Sequence, residues 1–180
     1  PEDIPPWPSF GEQFRDKPYI QAQQLDTWGI RDFGWKDWAP VLARYYGIIS
    51  QMDDAVGSVL SCLEASGQAE NTMVILTSDH GDLCGSHRMI DKHYVMYDDV
   101  TRVPLILRWP DGIRQPGKTV DDFVYNALDI PATIYDILRL KPSYHLHGKS
   151  LTGFFGKAGC GKTAGSARRE YVVSTYNGQQ

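Results

Sequence analysis

A stripe of apolar side chains is the feature that most limits how this chain can fold. From Leu42 to Leu63, apolar residues recur at spacings of three and four, the period of one face of an α-helix. The members of the stripe are Leu42, Tyr45, Tyr46, Ile49, Met52, Val56, Val59, Leu60 and Leu63. Gly67 follows "LEAS" and can end a helix, because glycine readily adopts the left-handed conformation found after helix C-termini. The pattern predicts one long helix that begins near Pro40.

Two short, continuous apolar runs follow this stripe and predict strands. "NTMVILTS" and "RVPLILRW" each suit a strand that is buried on both faces, and "VDDFVYN" can form a third. A second helix is expected where Asp129 can cap a first turn that contains Pro131. Its predicted inner face consists of Ile134, Ile137 and Leu138. Helix, strand, strand and helix in this order predict an α/β fold, in which helices flank a mixed sheet.

The sequence divides into three stretches of different character. Residues 1–40 are rich in Pro, Trp and charge without a sustained period, which predicts an irregular wrapping segment with a short helix over Tyr19–Leu25. Residues 41–155 carry the α/β core. Residues 156–180 begin with a stretch rich in Gly, Ala and Lys, which predicts a loop and the start of a further segment.

Charge and composition exclude several classes of function. The formal net charge is -4 with 42% hydrophobic residues, and no basic block marks a nucleic-acid surface. No apolar run approaches the roughly 20 residues that span a bilayer. An anionic substrate must therefore be held locally, by a metal ion, a lysine or backbone N–H groups. The three cysteines Cys62, Cys84 and Cys160 are odd in number and far apart, so they predict no disulfide framework.

The stretch "TSDHGD" at the end of the first predicted strand is the strongest candidate site. Ligands in open α/β sheets collect beyond the carboxyl ends of strands, where Asp79 and His80 stand side by side. A carboxylate and an imidazole can bind a divalent cation, and Gly81 lets the backbone turn. The alternative is an ordinary polar loop with an Asx-turn at Asp79 and a surface imidazole. Two donors cannot complete a site, because metals take roughly four to eight ligands.

Five further polar residues to be considered lie downstream in "GSHRMIDKHYVMYDDVTRVP". Lys92 is a compact cation suited to an anionic oxygen, although each lysine taken alone is more often simply solvated. His87 and His93 are weak candidates when each is taken singly. Asp98 and Asp99 are more typical of ion pairs that anchor a loop.

A rival pattern indicates a different class of protein. "GKAGCGKT", from Gly156 to Thr163, satisfies the P-loop pattern for nucleotide binding. That function requires a strand before the pattern and a helix after it, and neither flank shows the necessary periodicity. We therefore consider nucleotide binding by a P-loop a weaker hypothesis than a metal site. A nucleophile is also missing, because Cys84 lacks the proline of a C-x-P-x-R arrangement and no serine occupies a G-x-S-x-G elbow.

The order of the motifs resembles the sulfatase family of the alkaline-phosphatase superfamily. The resemblance is carried by "ARYYGIISQMDDAVGSVLSCLEASGQAENTMVILTSDHGDLCGSHRMIDKHYVMYDDVTRVPLILRWPDG", followed by "ALDIPATIYDIL" and "LHGKSL". It implies an alkaline-phosphatase-like mixed sheet flanked by helices and the hydrolysis of sulfate esters. "GSHRMIDKHYVMYDD" is similar to bacterial carbohydrate sulfatases, which implies a sulfated glycan or a sulfated small molecule as the substrate.

The resemblance also assigns roles to individual residues. It implies that Asp79 and His80 are ligands of one divalent cation, usually Ca²⁺, and it leaves Asp82 and Cys84 as parts of the loop. Lys92 matches the family's lysine that contacts the sulfate. Because Lys92 lies one residue farther from "YDDVTRVP" than in the commonest family pattern, His93 is a possible substitute in substrate binding. His87, in "GSH", is expected to line the site with Lys92.

The remaining expectations concern catalytic residues of the sulfatase family that have no match in this sequence. Its formylglycine nucleophile and N-terminal aspartate pair have no match here, so we expect an incomplete catalytic domain that is inactive alone and needs the remainder of that domain. His80 is a better ligand for Mn²⁺ or Zn²⁺ than for Ca²⁺, and Mg²⁺ also stays possible. A phosphonate monoesterase or phosphodiesterase of the same superfamily is therefore the runner-up. The resemblance favours a periplasmic or secreted protein.

Overall fold

A computed structural model describes residues 1–93, 95–156 and 169–174. The helices are α1 (Tyr19–Thr27), α2 (Trp35–Ala65), α3 (Asp98–Thr101) and α4 (Asn126–Ile137), and the strands are β1 (Val74–Thr77) and β2 (Leu105–Arg108). Two compact units are present. The first contains Pro1–Ala65 and His80–Val103, and the second contains Ser66–Asp79 and the described residues from Pro104 onward.

Helix α2 confirms the long helix that the apolar stripe predicts, but it begins earlier. The side chain of Asp37 accepts a hydrogen bond from the Gly34 N–H at 2.9 Å and so satisfies a donor at the helix start. The helix therefore begins at Trp35 and continues through Pro40, the sixth helical residue. Its N-terminal part is buried at Trp38, Ala39 and Leu42, whereas much of the stripe farther along is exposed.

The core of the first unit joins α1 and α2 to the polar loop that follows β1. Its buried members are Leu25, Ile30, Trp38, Leu83, Met89, Val95 and Val100. Helix α1 confirms the predicted short helix and extends two residues beyond it. Gly85 has a φ of +90°, and a Cβ built there would lie 3.1 Å from the ring of Trp38. Glycine is needed at this position because the backbone is left-handed and the indole packs directly against it.

The second unit contains the sheet, and it corrects two predictions. Strands β1 and β2 pair antiparallel, with Val74 opposite Arg108 and Thr77 opposite Leu105. The strands are not buried on both faces within the described residues, because Ile106 is 58% exposed and Leu76 is 39% exposed. The third strand predicted in "VDDFVYN" is wrong, since these residues are irregular up to the start of α4.

Helix α4 buries Asp129, Ala132 and Thr133 instead of the predicted apolar face. It begins at Asn126, and Asp129 is buried inside it, where the carboxylate accepts a hydrogen bond from the Tyr125 N–H at 2.8 Å. Ile134 and Leu138 are exposed, so the prediction is wrong for these two residues, whereas Ile137 is half-buried. The reason is that the segment "LHGKSL" packs on the other side of the helix. There the Lys149 N–H donates to Asp129 at 2.7 Å.

Across the part of the chain that the structure describes, no helix has both the length and the apolar composition needed to cross a membrane.

Candidate functional site

The candidate site is built on the loop that runs from the end of β1 to Lys92. Four residues of this loop other than glycine have positive φ: Cys84 (41°), His87 (52°), Arg88 (61°) and Asp91 (65°). Such conformations cost about 1–3 kcal/mol each at residues other than glycine, and they persist only where surrounding contacts enforce them. The loop is therefore held in a specific conformation by its neighbours.

Gly81 fixes the start of this loop against α3. Its N–H donates to the carbonyl of Val100 at 2.8 Å, and a Cβ added at Gly81 would lie 1.8 Å from the carbonyl oxygen of Asp99. No side chain fits in that space. The sequence predicts glycine here for a turn, but the structural reason is the close approach of two backbones.

His80 and Lys92 are brought into direct contact, although twelve residues separate them in sequence. Nδ1 of His80 lies 2.8 Å from the carbonyl oxygen of Gly81, which assigns the proton to Nδ1. Nε2 is then an acceptor, and the ammonium of Lys92 donates to it. The backbone of Lys92 is held in turn by the side chain of Asp91, which accepts a hydrogen bond from the Lys92 N–H at 2.8 Å. Two of the predicted site residues therefore form one polar pair.

Asp79, the other predicted metal ligand, directly precedes this pair. It is exposed, and one of its carboxylate oxygens lies 3.4 Å from the hydroxyl of Ser78. Asp79 ends a segment of the second unit, whereas His80 begins a segment of the first. The described residues contain no group of three or more His, Cys, Asp or Glu side chains that could hold a metal ion. Asp79 and His80 thus offer two donors of types that fit a divalent cation, which is fewer than a complete site needs.

His87 lies in a different polar cluster of the first unit. Its ring stacks on Tyr97 with centroids 3.7 Å apart and planes 10° from parallel. Nδ1 lies 3.6 Å from a carboxylate oxygen of Glu12, and Nε2 lies 4.0 Å from one of Asp99. Burial acts to raise the pKa of Glu12, but the Phe14 N–H and the nearby lysine outweigh it and lower this pKa below its ordinary value. The imidazole of His87 therefore faces carboxylates from both the N-terminal segment and α3.

His93, the predicted substitute in substrate binding, pairs with a residue of its own loop. Nδ1 lies 2.7 Å from a carboxylate oxygen of Asp91, and the side chain is half exposed. Asp91 therefore contacts both the backbone of Lys92 and the ring of His93.

Asp82 and Cys84 form loop structure, as predicted. The carboxylate of Asp82 accepts a hydrogen bond from the Cys84 N–H at 2.8 Å, which is the geometry of an Asx-turn. Burial, with a smaller contribution from the charge of Asp82, raises the pKa of the Cys84 thiol to about 11. A thiol with this pKa stays protonated at neutral pH, so Cys84 is not an activated nucleophile.

The N-terminal segment holds this loop through residues that the sequence patterns do not single out. The indole N–H of Trp7 donates to the carbonyl of Cys84 at 3.1 Å. The hydroxyl of Ser9 lies 2.8 Å from that of Ser86 and accepts a hydrogen bond from the His87 N–H at 3.2 Å. These pairs are more than 70 residues apart, and no local motif could have revealed them.

The P-loop pattern lies almost entirely outside the described residues. The structure describes the chain up to Gly156 and again from Arg169, and the remaining residues of "GKAGCGKT" lie between these two points. The nucleotide-binding alternative stays a sequence prediction.

Comparison with known proteins identifies relatives of this chain. A sequence model of the sulfatase family matches residues 8–140. The chain is 37% identical over 97 residues to a Delta 4,5-hexuronate-2-O-sulfatase of Bacteroides thetaiotaomicron, covering 53% of this chain and 20% of that protein. It spans about a fifth of the length of the curated relatives it matches.

Two solved structures are similar in fold. A crystal structure of a provisionally identified sulfatase from Bacteroides thetaiotaomicron matches with a TM-score of 0.76 and 27% identity, over 84% of this chain and 34% of that one. The phosphonate monoester hydrolase of Agrobacterium radiobacter matches with a TM-score of 0.65 and 35% identity, over 69% and 24%. The predicted α/β, alkaline-phosphatase-like fold is confirmed by these neighbours.

Proposed function

Because this chain belongs to the sulfatase family of sulfuric ester hydrolases, we propose that it forms part of the active site of a metal-dependent sulfatase. The observation that carries this proposal is the contact between Lys92 and His80. It joins the lysine that the family resemblance assigns to sulfate with one of the two residues that it assigns to the metal.

Asp79 and His80 would hold the divalent cation. With the proton on Nδ1 of His80, Nε2 is the nitrogen that would coordinate a metal, which would take the position that the Lys92 ammonium occupies in this structure. The exposed carboxylate of Asp79 is a hard oxygen donor. When bound, such a cation polarises the ester and offsets negative charge on the transferring group. Ca²⁺ is the family's usual ion, whereas the imidazole also suits Mn²⁺ or Zn²⁺. The remaining ligands would come from parts of the domain beyond the described residues.

Lys92 would bind the sulfate and His87 would contribute to the same site. A cation on Nε2 of His80 would displace the ammonium of Lys92 from that nitrogen, and an anion bound to the cation would lie within reach of both positive charges. The role of His87 rests on the family resemblance, because its ring stacks on Tyr97 beside Glu12 and Asp99, in a cluster separate from His80 and Lys92. His93, half exposed beside Lys92, would contact the remainder of the substrate.

The substrate that we propose is a sulfated carbohydrate. Support comes from the relative named a Delta 4,5-hexuronate-2-O-sulfatase, at 37% identity. The second candidate is a phosphonate monoesterase or phosphodiesterase, because the Agrobacterium phosphonate monoester hydrolase is 35% identical. On the family resemblance we place the protein in the periplasm or outside the cell. We also propose that the chain by itself is inactive, since two metal donors do not make a site.

The test is an assay of the protein in full length on an aryl sulfate, a phosphonate monoester and a phosphodiester, with its metal content measured in parallel. We expect sulfate ester hydrolysis to dominate. Lys92→Met should lower kcat/KM by about 100-fold or more, the size of effect found when one stabilising donor is removed. Asp79→Ala and His80→Ala should also lower the metal content. Lys118→Met, which removes an exposed lysine elsewhere, serves as the control. Dominant phosphonate or phosphodiester hydrolysis would favour the second candidate.

A further inference from the structure

We propose that Gln24 of α1 is a positioning residue that holds Lys92 in place for the reaction. The geometry behind this proposal is a hydrogen bond from the Gln24 side chain to the backbone carbonyl of His93, the residue that follows Lys92. The inference rests on the proposed role of Lys92 and extends it to a residue outside the site loop.

The direction of this hydrogen bond is fixed by its acceptor. A backbone carbonyl cannot donate, so the amide nitrogen of Gln24 must face His93. The two residues are 69 positions apart, and the Gln24 side chain is only 3% exposed. This partly buried hydrogen bond fixes the backbone one residue beyond Lys92 against α1.

Stability alone does not explain a glutamine at this position. The other polar atom of the side chain, Oε1, is buried and has no hydrogen-bond partner among the described residues. An unsatisfied buried acceptor costs about 1–3 kcal/mol, and an apolar side chain of similar size would avoid that cost. A glutamine at this position is therefore better explained by the hydrogen bond from its amide N–H to the His93 carbonyl than by the packing of α1.

A second glutamine on the same face of α1 holds the other end of the same segment. Gln21 lies three residues before Gln24, so the two side chains project from one side of the helix. Gln21 is 9% exposed, and its Oε1 accepts a hydrogen bond from the hydroxyl of Tyr97 at 3.0 Å. Helix α1 thus fixes His93, which directly follows Lys92. It also fixes Tyr97, on whose ring His87 stacks.

Fixing the backbone matters because the lysine side chain is flexible. Its ammonium sits on a four-carbon stem, so the place it can reach depends on where its Cα is held. Without the Gln24 hydrogen bond, the backbone at His93 loses an anchor on α1, and the contact between Lys92 and His80 should loosen. Small displacements of a charged group can cost up to about 100-fold in rate.

The first experiment uses NMR on this chain. In the unaltered chain, NOEs should connect the side-chain protons of Lys92 with the ring of His80. Gln24→Leu keeps the size of the side chain and removes the donor, so these NOEs should be lost. The His80 ring ¹⁵N shifts should then move to their values in Lys92→Met. The matched control is Gln23→Leu, because Gln23 is the exposed neighbour on the same helix, and it should change neither signal.

Several outcomes would overturn the proposal. Retained NOEs and unchanged ring shifts in Gln24→Leu would show that Gln24 does not position Lys92, and so would the absence of these NOEs in the unaltered chain. If Gln24→Leu does not fold, Gln24→Met gives the same reading, since its unbranched side chain resembles that of glutamine in shape and a thioether cannot donate to His93 either.

Kinetics of the protein in full length separate this inference from the proposed function. Gln24→Leu should lower kcat/KM for the sulfate ester by about 10- to 100-fold, and it should have no further effect when Lys92→Met is already present. Additive effects would indicate a purely structural role. If no sulfate ester is hydrolysed, the proposed function fails, whereas the NMR result still decides whether Gln24 holds Lys92.

Discussion

At the scale of single residues, Gly81 shows how space can dictate an amino acid next to a candidate site. A Cβ at this position would lie 1.8 Å from the carbonyl oxygen of Asp99, which is backbone and cannot swing away. The same glycine donates its N–H to Val100. His80 is therefore placed by a backbone contact that only glycine permits.

Gly81→Ala should lower the free energy of unfolding by about 3 kcal/mol, because α3 or the loop must move to admit the methyl group. Urea denaturation measures this change. The matched control is Gly57→Ala in the interior of α2, where the added Cβ meets nothing within 4 Å. That control should raise the free energy of unfolding by about 0.5–1 kcal/mol. Equal effects of the two substitutions would contradict our explanation of Gly81.

The two described cysteines should differ sharply in reactivity. Cys62 is exposed and Cys84 is buried, and the pKa of the Cys84 thiol is raised to about 11. Because only the thiolate reacts, iodoacetamide at pH 8 should label Cys62 in the native protein and Cys84 only after denaturation. Peptide mapping by mass spectrometry distinguishes the two sites. Native labelling of Cys84 at a rate similar to Cys62 would argue against a buried, protonated thiol.

At the scale of elements, helix α4 depends on one buried carboxylate. Asp129 accepts hydrogen bonds from the N–H groups of Tyr125 and Lys149 and is paired with the guanidinium of Arg169. Gly148 permits this arrangement, since a Cβ there would lie 1.9 Å from the carbonyl oxygen of Leu128. The "LHGKSL" segment is thereby bound to the helix by a hydrogen bond to the buried carboxylate, which the pattern of apolar residues does not predict.

Asp129→Asn should destabilise the protein at pH 7 by about 3–5 kcal/mol, because it leaves Arg169 without its counter-charge. Burial raises the pKa of Asp129, but the Arg169 hydrogen bond and the two N–H donors outweigh it and hold this pKa below its ordinary value. The stabilisation is therefore present above the unfolded-state pKa of about 3.9 and is lost as the pH falls through the lower folded-state pKa.

Urea denaturation between pH 2 and pH 7 checks both parts of this prediction. The difference between the unaltered chain and Asp129→Asn should be constant above about pH 5 and should shrink in acid. Asp121→Asn, at an exposed position nearby, should change little at any pH. A difference that persists undiminished at pH 2 would show that the carboxylate charge is not the cause.

Over the whole molecule, many large apolar side chains are exposed. On α2 alone, Ile48, Met52 and Val59 are 56%, 60% and 68% exposed. Soluble proteins seldom expose contiguous apolar surface of this kind without a partner for it. Ile48, Met52 and Val59 follow one another at spacings of four and seven residues, so they lie on one face of the helix.

This surface should bind an apolar dye. We expect the chain to increase the fluorescence of anilinonaphthalene sulfonate, and we expect Met52→Lys with Val59→Lys to reduce the increase without lowering the thermal midpoint. Both positions are exposed, so lysine costs no buried contact. Gln51→Lys adds a charge without removing apolar surface and should leave the dye signal largely intact. The expectation is wrong if the charged double variant binds the dye as well as the unaltered chain.

What the sequence predicted well is local. The period of the stripe on α2, the short helix α1 and the two apolar runs all depend on neighbouring residues, and each appears as a helix or strand. The family was recognisable because its motifs follow one another in a fixed order. The roles given to Asp79, His80, His87, Lys92 and His93 stay predictions, since they came from that resemblance.

Contacts between residues far apart in the chain depend on the tertiary fold and could not be predicted from the sequence. The contact of Lys92 with His80, the hydrogen bond of Gln24 to His93 and the burial of Asp129 in α4 each depend on how separate segments pack. No periodicity records them, because a hydrogen bond across 69 residues leaves no pattern in either neighbourhood. Local sequence thus determined which helices and strands form, and the order of the motifs indicated the family of the chain. Tertiary packing determined which polar groups come into contact.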